Sequence, residues 1–415
     1  MRVAVVRGPS LNPWEMQAYE QLAYRVELLG VGSFGGHYDI SQIRFPVKRL
    51  ACVGEYLAYV PGGTKCLYQL VGDPQYLIGF DRVVEGYDIV HAAELRSAYS
   101  WQAVQAKRKG LVKAVTLTIY ENIPLFMDDN QARLRLQSEV VRGVDHFLAI
   151  NKQAKAALLI AGVEERKISI VGQGVDTRSF APRKFQISNG KFQILMKKYG
   201  IENDDFVVLS VGRMVWEKGW YDLIRTAYKI SLDCSNRMIT RKFKFFFVGV
   251  GAERERMEKM VERLGLEQSV IFSGGIPYEY MPDVFRLADV LVLASLPTHN
   301  WNEQFGGVLI EAMATGLPVV ATMNGGILQT VEEKLQGQLA WMAGGVTVGK
   351  GGIYVPPQDF SSLTSAILRL NQDQTLRERM GIRNRKRAVS EFDVKAVSKK
   401  VYEIWKNVLR TERRE

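Results

Sequence analysis

The sequence has few cysteines and no long apolar run. Cys52, Cys66 and Cys234 are an odd number of thiols without a Cys-x-x-Cys pair, which argues against a disulfide framework and against a zinc site. The longest apolar runs, FKFFFVGV and ADVLVLAS, are far shorter than the roughly 20 residues that cross a bilayer. The opening MRVAVVRG is typical of a short strand rather than of a signal peptide, so the expected location is the cytoplasm.

Two further features are missing. No repeat of 20 to 50 residues is visible, which argues against a solenoid. Aromatic and basic residues do not alternate in stripes, and the middle of the chain is neutral, so a nucleic-acid partner is not expected. The net charge of +11 arises at the two ends, because residues 1–186 hold 23 basic against 18 acidic residues and residues 383–415 hold 11 against 5. An excess of basic residues at both ends of the chain suits an anionic substrate or an anionic membrane.

The length and composition indicate a globular protein of two domains. The chain has 415 residues, of which 47% are hydrophobic and 24% charged. A single core rarely grows to that size. Short Val- and Ile-rich runs without strict alternation recur along the chain, as expected for strands buried on both faces of a parallel sheet. In the first half these runs are RVAVV (2–6), YDIVHA (87–92), VKAVTLTI (112–119), DHFLAI (145–150) and ISIVGQG (168–174).

The series of apolar runs then begins again, which predicts a second doubly wound α/β domain. Its runs are DFVVLSVGR (205–213), FKFFFVGVG (243–251), SVIFSGG (269–275), ADVLVLAS (288–295), LPVVAT (317–322) and GGIYVPP (351–357). The predicted fold is therefore α/β with two Rossmann-like domains, 1–186 and 187–390. The final stretch, 391–415, reads as an amphipathic helix that needs a partner for its apolar face.

A cation pair follows the first strand of the second half. In SVGRMVWEKGWYDLI, Arg213 follows Gly212 at the predicted strand end, and Lys218 precedes a helix. Ligands of open α/β sheets bind beyond the carboxyl ends of the strands, where an arginine and a lysine suit a diphosphate. Surface cations in a solvated loop are the plainer interpretation. A Gly-x-Gly in FVGVGAERE lacks the third glycine of a dinucleotide site and predicts a tight turn instead.

The stretch NEQFGGVLIEAMATGLPVVAT places Glu303 before a Phe-Gly-Gly turn and Glu311 after it, on the predicted first turn of a helix. The unpaired N–H groups of a helix start attract anions, and two glycines leave space for one. Carboxylates accept hydrogen bonds from paired sugar hydroxyls. The stretch therefore favours a ligand with phosphate and sugar parts, although Glu311 could simply complement the helix dipole.

Together, VGRMVWEKG, GGIPYEYMPDVFRLADVLVLAS, NEQFGGVLIEAMATGLPVVAT and GGIYVPPQD resemble the donor half of retaining glycosyltransferases of family 4, the glycosyl transferases group 1. That family has the GT-B fold, in which two Rossmann-like domains face each other across a cleft and the closing helix returns to the N-terminal domain. The spacing from Glu303 to Glu311 resembles its hallmark, and the resemblance covers most of the chain from about residue 88 onward.

The resemblance implies a role for each matching position. Arg213 and Lys218 would hold the diphosphate of a nucleotide-sugar, Glu311 would bind the ribose, and Glu303 would contact the transferred sugar. No metal or other cofactor is expected, and a UDP- or GDP-sugar is the expected donor. The other donor-side positions are Gly212, Gly275, Ile276, Gln304, Phe305, Gly306, Gly307 and Val308.

Several positions depart from the family pattern. Gln304 stands where many relatives have glycine, and Gln329 where they have glutamate. The histidine that many relatives place in the N-terminal domain is replaced by Thr118, so the group that contacts the acceptor or sugar there is in doubt. Tyr120, Glu121 and Asn122 are the candidates for that role, and His91, at another strand end, is a further catalytic candidate.

The resulting prediction is a hexosyltransferase that moves a sugar with retention to a hydroxyl acceptor, for example an anionic or lipid-linked one. Peripheral contact with an anionic membrane and a freely soluble enzyme with a basic surface stay open as alternatives. Two other functions also stay open. One is a nucleotide-sugar or carbohydrate binding protein without catalysis, and the other is a nucleotide-sugar epimerase of the same architecture.

Overall fold

The structure is a computed structural model that describes residues 1–124, 130–182, 190–235, 241–332 and 345–412. The chain divides into two compact units. Unit 1 comprises Met1–Gly174 and Asp393–Glu415, and unit 2 comprises Val175–Phe392. The boundary predicted at residue 186 lies outside the described residues.

The described residues of unit 1 form seven strands. They are β1 (Arg2–Gly8), β2 (Glu27–Ser33), β3 (Val47–Leu50), β4 (Ile89–Ala93), β5 (Ala114–Ile119), β6 (His146–Ala149) and β7 (Ile168–Ile170). They form one parallel sheet in the order β3-β2-β1-β4-β5-β6-β7. The helices of unit 1 are Pro13–Glu20, Val53–Leu57, Gly63–Val71, Phe80–Val84, Ala98–Arg108, Gln131–Gly143, Lys152–Ile160 and Val394–Glu412.

Four of the five apolar runs of the first half, those of β1, β4, β5 and β6, form the middle of this sheet, because Val and Ile side chains on both faces are covered, whereas the fifth forms the edge strand β7. Val3, Val5 and Ile89 are fully buried. The sequence analysis missed β2 and β3. The segment ELLGVGS of β2 carries two glycines, and VKRL of β3 is half polar because it forms the edge of the sheet, so neither shows a buried-strand pattern.

The last helix, Val394–Glu412, packs into the core of unit 1. Its residues Val397, Val401 and Trp405 are buried in one cluster with strand residues such as Val3 and Val5. The indole Nε1 of Trp405 also donates a hydrogen bond to a hydroxyl of β5, and its ring stacks on a tyrosine of Pro13–Glu20. This helix therefore covers apolar surface of unit 1 with its own apolar face.

Unit 2 has a second seven-stranded sheet. Its strands are β8 (Phe206–Val211), β9 (Phe243–Val248), β10 (Val270–Gly274), β11 (Val290–Leu293), β12 (Val319–Thr322), β13 (Thr347–Val348) and β14 (Gly352–Val355). The order is β10-β9-β8-β11-β12-β14-β13, and only β13 in it is antiparallel to its neighbour. The helices are Gly190–Tyr199, Trp220–Ser235, Arg254–Arg263, Met281–Leu287, Gly307–Thr315, Ile327–Val331, Phe360–Gln372 and Gln374–Arg387.

Both sheets are parallel and doubly wound, which confirms the predicted fold class. In each sheet the order reverses next to the first strand of the unit, at β1 and at β8. Loops that leave the carboxyl ends of neighbouring strands converge there, so this edge of each sheet is where a ligand site is expected. Among the described residues, no helix is both long and apolar enough to cross a membrane.

Candidate functional site

The predicted donor residues of unit 2 meet at the carboxyl edge of its sheet. Lys218 ends a short 3-10 turn, Trp216–Lys218, that follows β8, and Glu303 lies in the loop that follows β11. The Lys218 Nζ is 2.6 Å from Glu303 Oε2, and the Ser295 hydroxyl donates to the same oxygen over 2.7 Å. The ammonium also lies 4.9 Å from the centre of the Trp301 ring. Two residues 85 positions apart thus form one ion pair.

This ion pair is largely removed from water. Glu303 is 7% exposed and Ser295 is fully buried. The ammonium and the carboxylate neutralise each other, which is the usual condition for burying charge. A buried pair is costly to break by removing one partner, because the other charge is then left uncompensated. The predicted phosphate-binding cation and the predicted sugar-binding carboxylate are therefore coupled to each other in this chain.

A glycine places Lys218 beside β11. Gly219 has a φ of +71°, and a Cβ built there would lie 1.9 Å from the carbonyl oxygen of Ala294. Any other side chain would push the loop away from the end of β11. The Gly-x-Gly turn after β9 supports the same region, since Gly249 N–H donates to Gly274 O over 2.9 Å and Met214 N–H donates to Val250 O over 2.8 Å. The tight-turn interpretation of this motif is confirmed.

Arg213 has a different environment from Lys218. Its side chain is exposed, and no described residue forms an ion pair or hydrogen bond with its guanidinium. Its backbone is held in place, because the Arg213 carbonyl accepts a hydrogen bond of 2.9 Å from the indole Nε1 of the buried Trp220. The edge therefore presents one available cation, Arg213, next to one cation that is already paired.

The predicted anion cradle is the start of the helix Gly307–Thr315. Its N-cap, Gly306, has a φ of 72° and makes no capping hydrogen bond through a side chain. Phe305 is buried just before it, and its carbonyl accepts a 2.7 Å hydrogen bond from the Thr330 hydroxyl. Leu309 N–H donates to Gly306 O over 2.8 Å. The other N–H groups of a first helical turn have no intrahelical partner, so this helix start could bind an anion without competition from a side-chain cap.

Glu311 is the fifth residue of this helix, so it lies on the second turn rather than on the predicted first turn. The helix begins only after Gly306, because the left-handed conformation of that glycine ends the preceding loop. Burial raises the pKa of Glu311 to about 7, and a hydrogen bond from Tyr278 opposes the rise. Tyr278 belongs to the loop GGIPYE, whose Gly275 is exposed and Ile276 half-buried. The structure thus brings together the predicted ribose and nucleobase positions.

The remaining donor-side positions line the same edge. Gly212 lies at the end of β8 and is half-buried, and so is Val308 in the first turn of the helix. Gln304, next to Glu303, is exposed. A large cavity of unit 2, about 710 Å³, lies elsewhere: it is lined by residues at the amino ends of the strands, including Asp205, Asp289 and Leu317, and by none of the predicted donor residues.

In unit 1, the predicted acceptor residues lie near the carboxyl ends of β4 and β5, but His91 is interior. It is 1% exposed, its Nδ1 is 2.8 Å from the Thr116 hydroxyl, and its Nε2 is 3.0 Å from the Thr118 hydroxyl. The hydroxyl of Tyr19 is 2.9 Å from the same Nε2. Burial lowers the pKa of His91 to about 3. A neutral histidine with both nitrogens engaged fits a structural role better than the catalytic role proposed from the sequence.

The other acceptor candidates are held by neighbouring side chains. Glu121 forms an ion pair of 3.1 Å with Arg96, and Asn122 Nδ2 donates to Gln153 over 3.3 Å. The ring of Tyr120 lies under a guanidinium, with Arg7 Cζ 5.0 Å from its centre. These residues therefore form an ordered loop that follows β5.

Sequence reasoning missed two residues at this edge, Arg7 and Glu94. Arg7 ends β1, is 8% exposed and forms an ion pair of 2.5 Å with Glu15. Glu94 follows β4 with a φ of 66°, and its carboxylate accepts a 3.1 Å hydrogen bond from Tyr120 N–H. The pKa of Glu94 is raised to about 7 by burial and by the charge of Glu121, against the opposing effect of Arg7. Both residues lie at or just after the end of a predicted strand, and this position could have identified them from the sequence as site candidates.

Among the described residues, one acidic group could hold a cation, Glu202, Asp204 and Asp205. It precedes β8, at the edge of the sheet opposite Lys218, and two of its three members are exposed. No ligand set for a metal accompanies the predicted donor residues among the parts of the chain described.

Solved structures share this fold. The HepE protein of Anabaena in complex with UDP has a TM-score of 0.73 at 17% identity, over 98% of this chain and 100% of that chain. Sucrose-phosphate synthase of Thermosynechococcus elongatus has a TM-score of 0.71 at 19% identity, over 99% of this chain and 100% of that chain. At such identities the likeness concerns the fold.

Sequence relatives agree with the family expected from the motifs. Mannosylfructose-phosphate synthase of Agrobacterium fabrum is 28% identical over 60% of this chain and 52% of its own length. The 2-deoxystreptamine glucosyltransferase of Streptomyces kanamyceticus is 31% identical over 48% of this chain and 49% of its own length. The chain thus spans about half the length of these relatives. The profile of one family, Glycosyl transferases group 1, matches residues 191–387. Residues 191–387 of this chain are therefore similar to the glycosyl transferases group 1 family.

Proposed function

We propose that the protein is a glycosyltransferase that moves a hexose from a nucleotide-diphosphate sugar to a hydroxyl acceptor, with retention and without a bound metal. The observation that carries this proposal is the buried Lys218–Glu303 pair, 2.6 Å apart, beside the uncapped helix start at Gly306. A cation, a carboxylate and free N–H donors at one sheet edge match the phosphate and sugar parts of such a donor.

The charges suit departure of a nucleoside diphosphate. When the bond between the anomeric carbon and the phosphate oxygen breaks, negative charge grows on the phosphate. Arg213, Lys218 and the N–H groups after Gly306 would stabilise that charge from fixed positions. Glu303, which can only accept hydrogen bonds when ionised, would bind hydroxyls of the transferred sugar. Glu311 would bind the ribose in the same way.

Retention follows if the acceptor attacks on the face that the phosphate leaves. The acceptor oxygen forms the new bond to the anomeric carbon, and its proton passes to the oxygen of the departing phosphate. No carboxylate of unit 2 is then needed as a base, which agrees with the engagement of Glu303 by Lys218 and Ser295. Acceptor binding falls to the edge of unit 1 near Tyr120 and Glu121.

A UDP-sugar is the first donor to test, and a GDP-sugar the second. HepE of Anabaena has been crystallised with UDP, with UDP and glucose, and with UDP-glucose. The experiment is a thermal-shift screen of UDP- and GDP-sugars, since a ligand at 100 times its dissociation constant adds about 2.7 kcal/mol to the free energy of unfolding. Turnover of the best donor and the anomeric configuration of the product, read by NMR, would complete the test.

Two alternatives would give different results. A binding protein without catalysis would show the thermal shift and no donor turnover with any acceptor or with water. The replacement of the usual histidine by Thr118 is the observation that favours a binding protein without catalysis. An epimerase would convert one nucleotide-sugar into another without releasing the nucleotide. Absence of a thermal shift with every nucleotide-sugar would contradict all three functions.

The acceptor side carries a second proposal, contact with an anionic membrane or with a lipid-linked acceptor. The helices Val53–Leu57 and Gly63–Val71 of unit 1 have no buried residues. Tyr56, Tyr59 and Leu70 on this segment are 61%, 90% and 71% exposed. Exposed aromatic and aliphatic side chains of this kind are typical of surfaces that contact the membrane interface.

A further inference from the structure

Asn324 is buried, yet its amide has no partner. The residue is 2% exposed, and neither its Nδ2 nor its Oδ1 makes a hydrogen bond with any described residue. Buried amides are nearly always hydrogen-bonded, because a buried donor or acceptor without a partner loses its bonds to water. An amide that leaves both kinds of atom unpaired therefore calls for a ligand that both donates and accepts.

Asn324 belongs to a loop that is attached to the donor site. It is the second residue after β12, and the next residue, Gly325, has a φ of +54°. A Cβ built on Gly325 would lie 2.1 Å from the carbonyl oxygen of Glu303, and Gly326 N–H donates to that oxygen over 2.7 Å. The loop can approach the Glu303 backbone this closely only because residue 325 has no side chain.

The strand before this loop is attached to the same site. The Thr322 hydroxyl donates a 2.5 Å hydrogen bond to the carbonyl of Ser295, whose own hydroxyl binds the Glu303 carboxylate. The backbone of Gly325 and Gly326 and the hydroxyl of Thr322 thus hold the chain around Asn324 close to Glu303 and Ser295. Among the described residues, the side chain of Asn324 makes no hydrogen bond that does so.

A second buried asparagine of unit 2 has partners for its amide nitrogen. Asn384 is fully buried, and its Nδ2 donates two hydrogen bonds of 2.8 Å, one to Leu317 O and one to Gly351 O, while its Oδ1 has no partner among the described residues. It ties a helix to two loops, which is a structural role. Asn324 has the same side chain at similar burial in the same unit and makes neither bond.

We propose that Asn324 binds a hydroxyl of the transferred sugar, beside Glu303. A sugar hydroxyl both donates and accepts, so it can use the amide oxygen and nitrogen together, whereas a phosphate oxygen would leave the amide oxygen unpaired. The nucleobase is proposed to lie near Tyr278, in another loop of the unit, and the ribose near Glu311, on the helix Gly307–Thr315. The inference rests on the proposed function and adds a specificity residue to it.

The test uses Asn324→Leu and Asn324→Ala, with Asn384→Leu as the matched control. Melting temperatures are measured without ligand, and affinities for UDP-glucose, GDP-mannose, UDP and GDP are measured by titration calorimetry. We expect Asn324→Leu to keep or raise the ligand-free melting temperature, because an unpaired amide is replaced by an apolar group of similar size. Asn384→Leu should lower it clearly, since two carbonyl acceptors lose their donor.

For the nucleotide-sugar that the wild type binds, both Asn324 variants should lose about fivefold to tenfold in affinity. Their affinity for the corresponding nucleoside diphosphate should stay within about twofold. Two results would overturn the inference while the proposed function stands: a fall in the ligand-free melting temperature as large as that of Asn384→Leu, or an equal loss for the sugar-bearing and sugar-free ligands. If the wild type binds no nucleotide-sugar in the thermal-shift screen described above, the proposed function fails and the inference fails with it.

Discussion

The carboxyl edges of the two sheets, called here the donor edge in unit 2 and the acceptor edge in unit 1 after their predicted ligands, have the same topology but differ in how their polar side chains are paired. In unit 2, Lys218 and Glu303 form a charged pair beside the exposed Arg213. In unit 1, His91 is neutral and enclosed by hydroxyls, and the pKa of Glu94 is raised to about 7. Burial raises the pKa of one carboxyl at each edge, that of Glu311 in unit 2 and that of Glu94 in unit 1. In unit 2, however, the predicted phosphate-binding cation and the predicted sugar-binding carboxylate are paired with each other. The comparison shows that the two side chains proposed to bind the donor are coupled to each other, whereas the acceptor candidates are paired with other residues of unit 1.

The largest effect is expected when the ion pair between Lys218 and Glu303 is broken. Lys218→Met should lower the free energy of unfolding by about 3 kcal/mol, because the Glu303 carboxylate stays buried without its counter-charge. Urea denaturation of the single variant and of Lys218→Met with Glu303→Gln measures the coupling. The double variant should recover part of the stability and none of the donor turnover.

The matched control for this prediction is Lys242→Met. Lys242 pairs with Glu202 over 3.2 Å, but both side chains are mostly exposed, so no measurable change in stability is expected. An equal effect of the Lys218 and Lys242 substitutions would show that the buried pair does not hold the donor edge together.

The next prediction concerns Arg213, whose loss should weaken use of the donor without changing the stability of the fold. Arg213→Ala should raise the activation free energy of donor turnover by about 1.5–3 kcal/mol, because a charge-assisted contact to the diphosphate is lost. Stability should not change, since no described residue pairs with this guanidinium. Arg256→Ala, on an exposed helix of the same unit, is the control in steady-state assays. Turnover within about threefold of wild type would remove Arg213 from the diphosphate site.

A third prediction tests the acceptor edge by its pH dependence. The pKa of Glu94 is higher in the folded protein than in the unfolded chain, so its contribution stabilises the fold at low pH. That contribution is lost as pH rises from about 4.5 to about 7. Glu94→Gln should therefore flatten the fall in unfolding free energy over this window, as measured by urea titrations at several pH values.

The groups that face Glu94 provide the control. Glu121 raises the pKa of Glu94 and Arg7 lowers it, so Glu121→Gln should move the window to lower pH without removing it. If Glu94→Gln leaves the pH profile of stability unchanged, burial at this edge does not hold the carboxyl protonated.

A smaller effect concerns the nucleoside. Wild type should prefer the ribose form of its donor over the 2′-deoxy form by about 1 kcal/mol, the value of one hydrogen bond, and Glu311→Gln should reduce that preference. Michaelis constants for the two donors measure it. An unchanged preference in the variant would place the ribose away from Glu311.

The smallest effect concerns the surface of unit 1. Co-sedimentation with anionic vesicles should exceed that with neutral vesicles at low salt and fall at high salt, each basic residue near the membrane contributing about 1 kcal/mol. Tyr59→Ser, at a side chain that is 90% exposed, should weaken sedimentation without loss of stability. Equal sedimentation with both vesicle types would contradict the membrane proposal.

The donor edge was largely predictable from the sequence and the acceptor edge was not. Residues 302–311 lie on one continuous stretch that joins a strand to a helix, so their spacing predicted a carboxylate on each side of the helix start. Arg7, Glu94 and Tyr120 come from three separate strand ends. The spacing of residues within each segment does not predict that these side chains lie close together. The edge strand β3 was missed because its exposed residues are as polar as a loop.

The sequence by itself determined the fold class and the loops that form the donor edge, because buried parallel strands and glycine-containing turns constrain residue type locally. Tertiary structure decided which side chains form ion pairs and hydrogen bonds with each other. It paired Lys218 with Glu303 across 85 positions, enclosed His91 among hydroxyls and left the amide of Asn324 without a bond. Burial and pairing set the charge and the hydrogen bonds of a side chain, and both depend on residues that only the folded chain brings together.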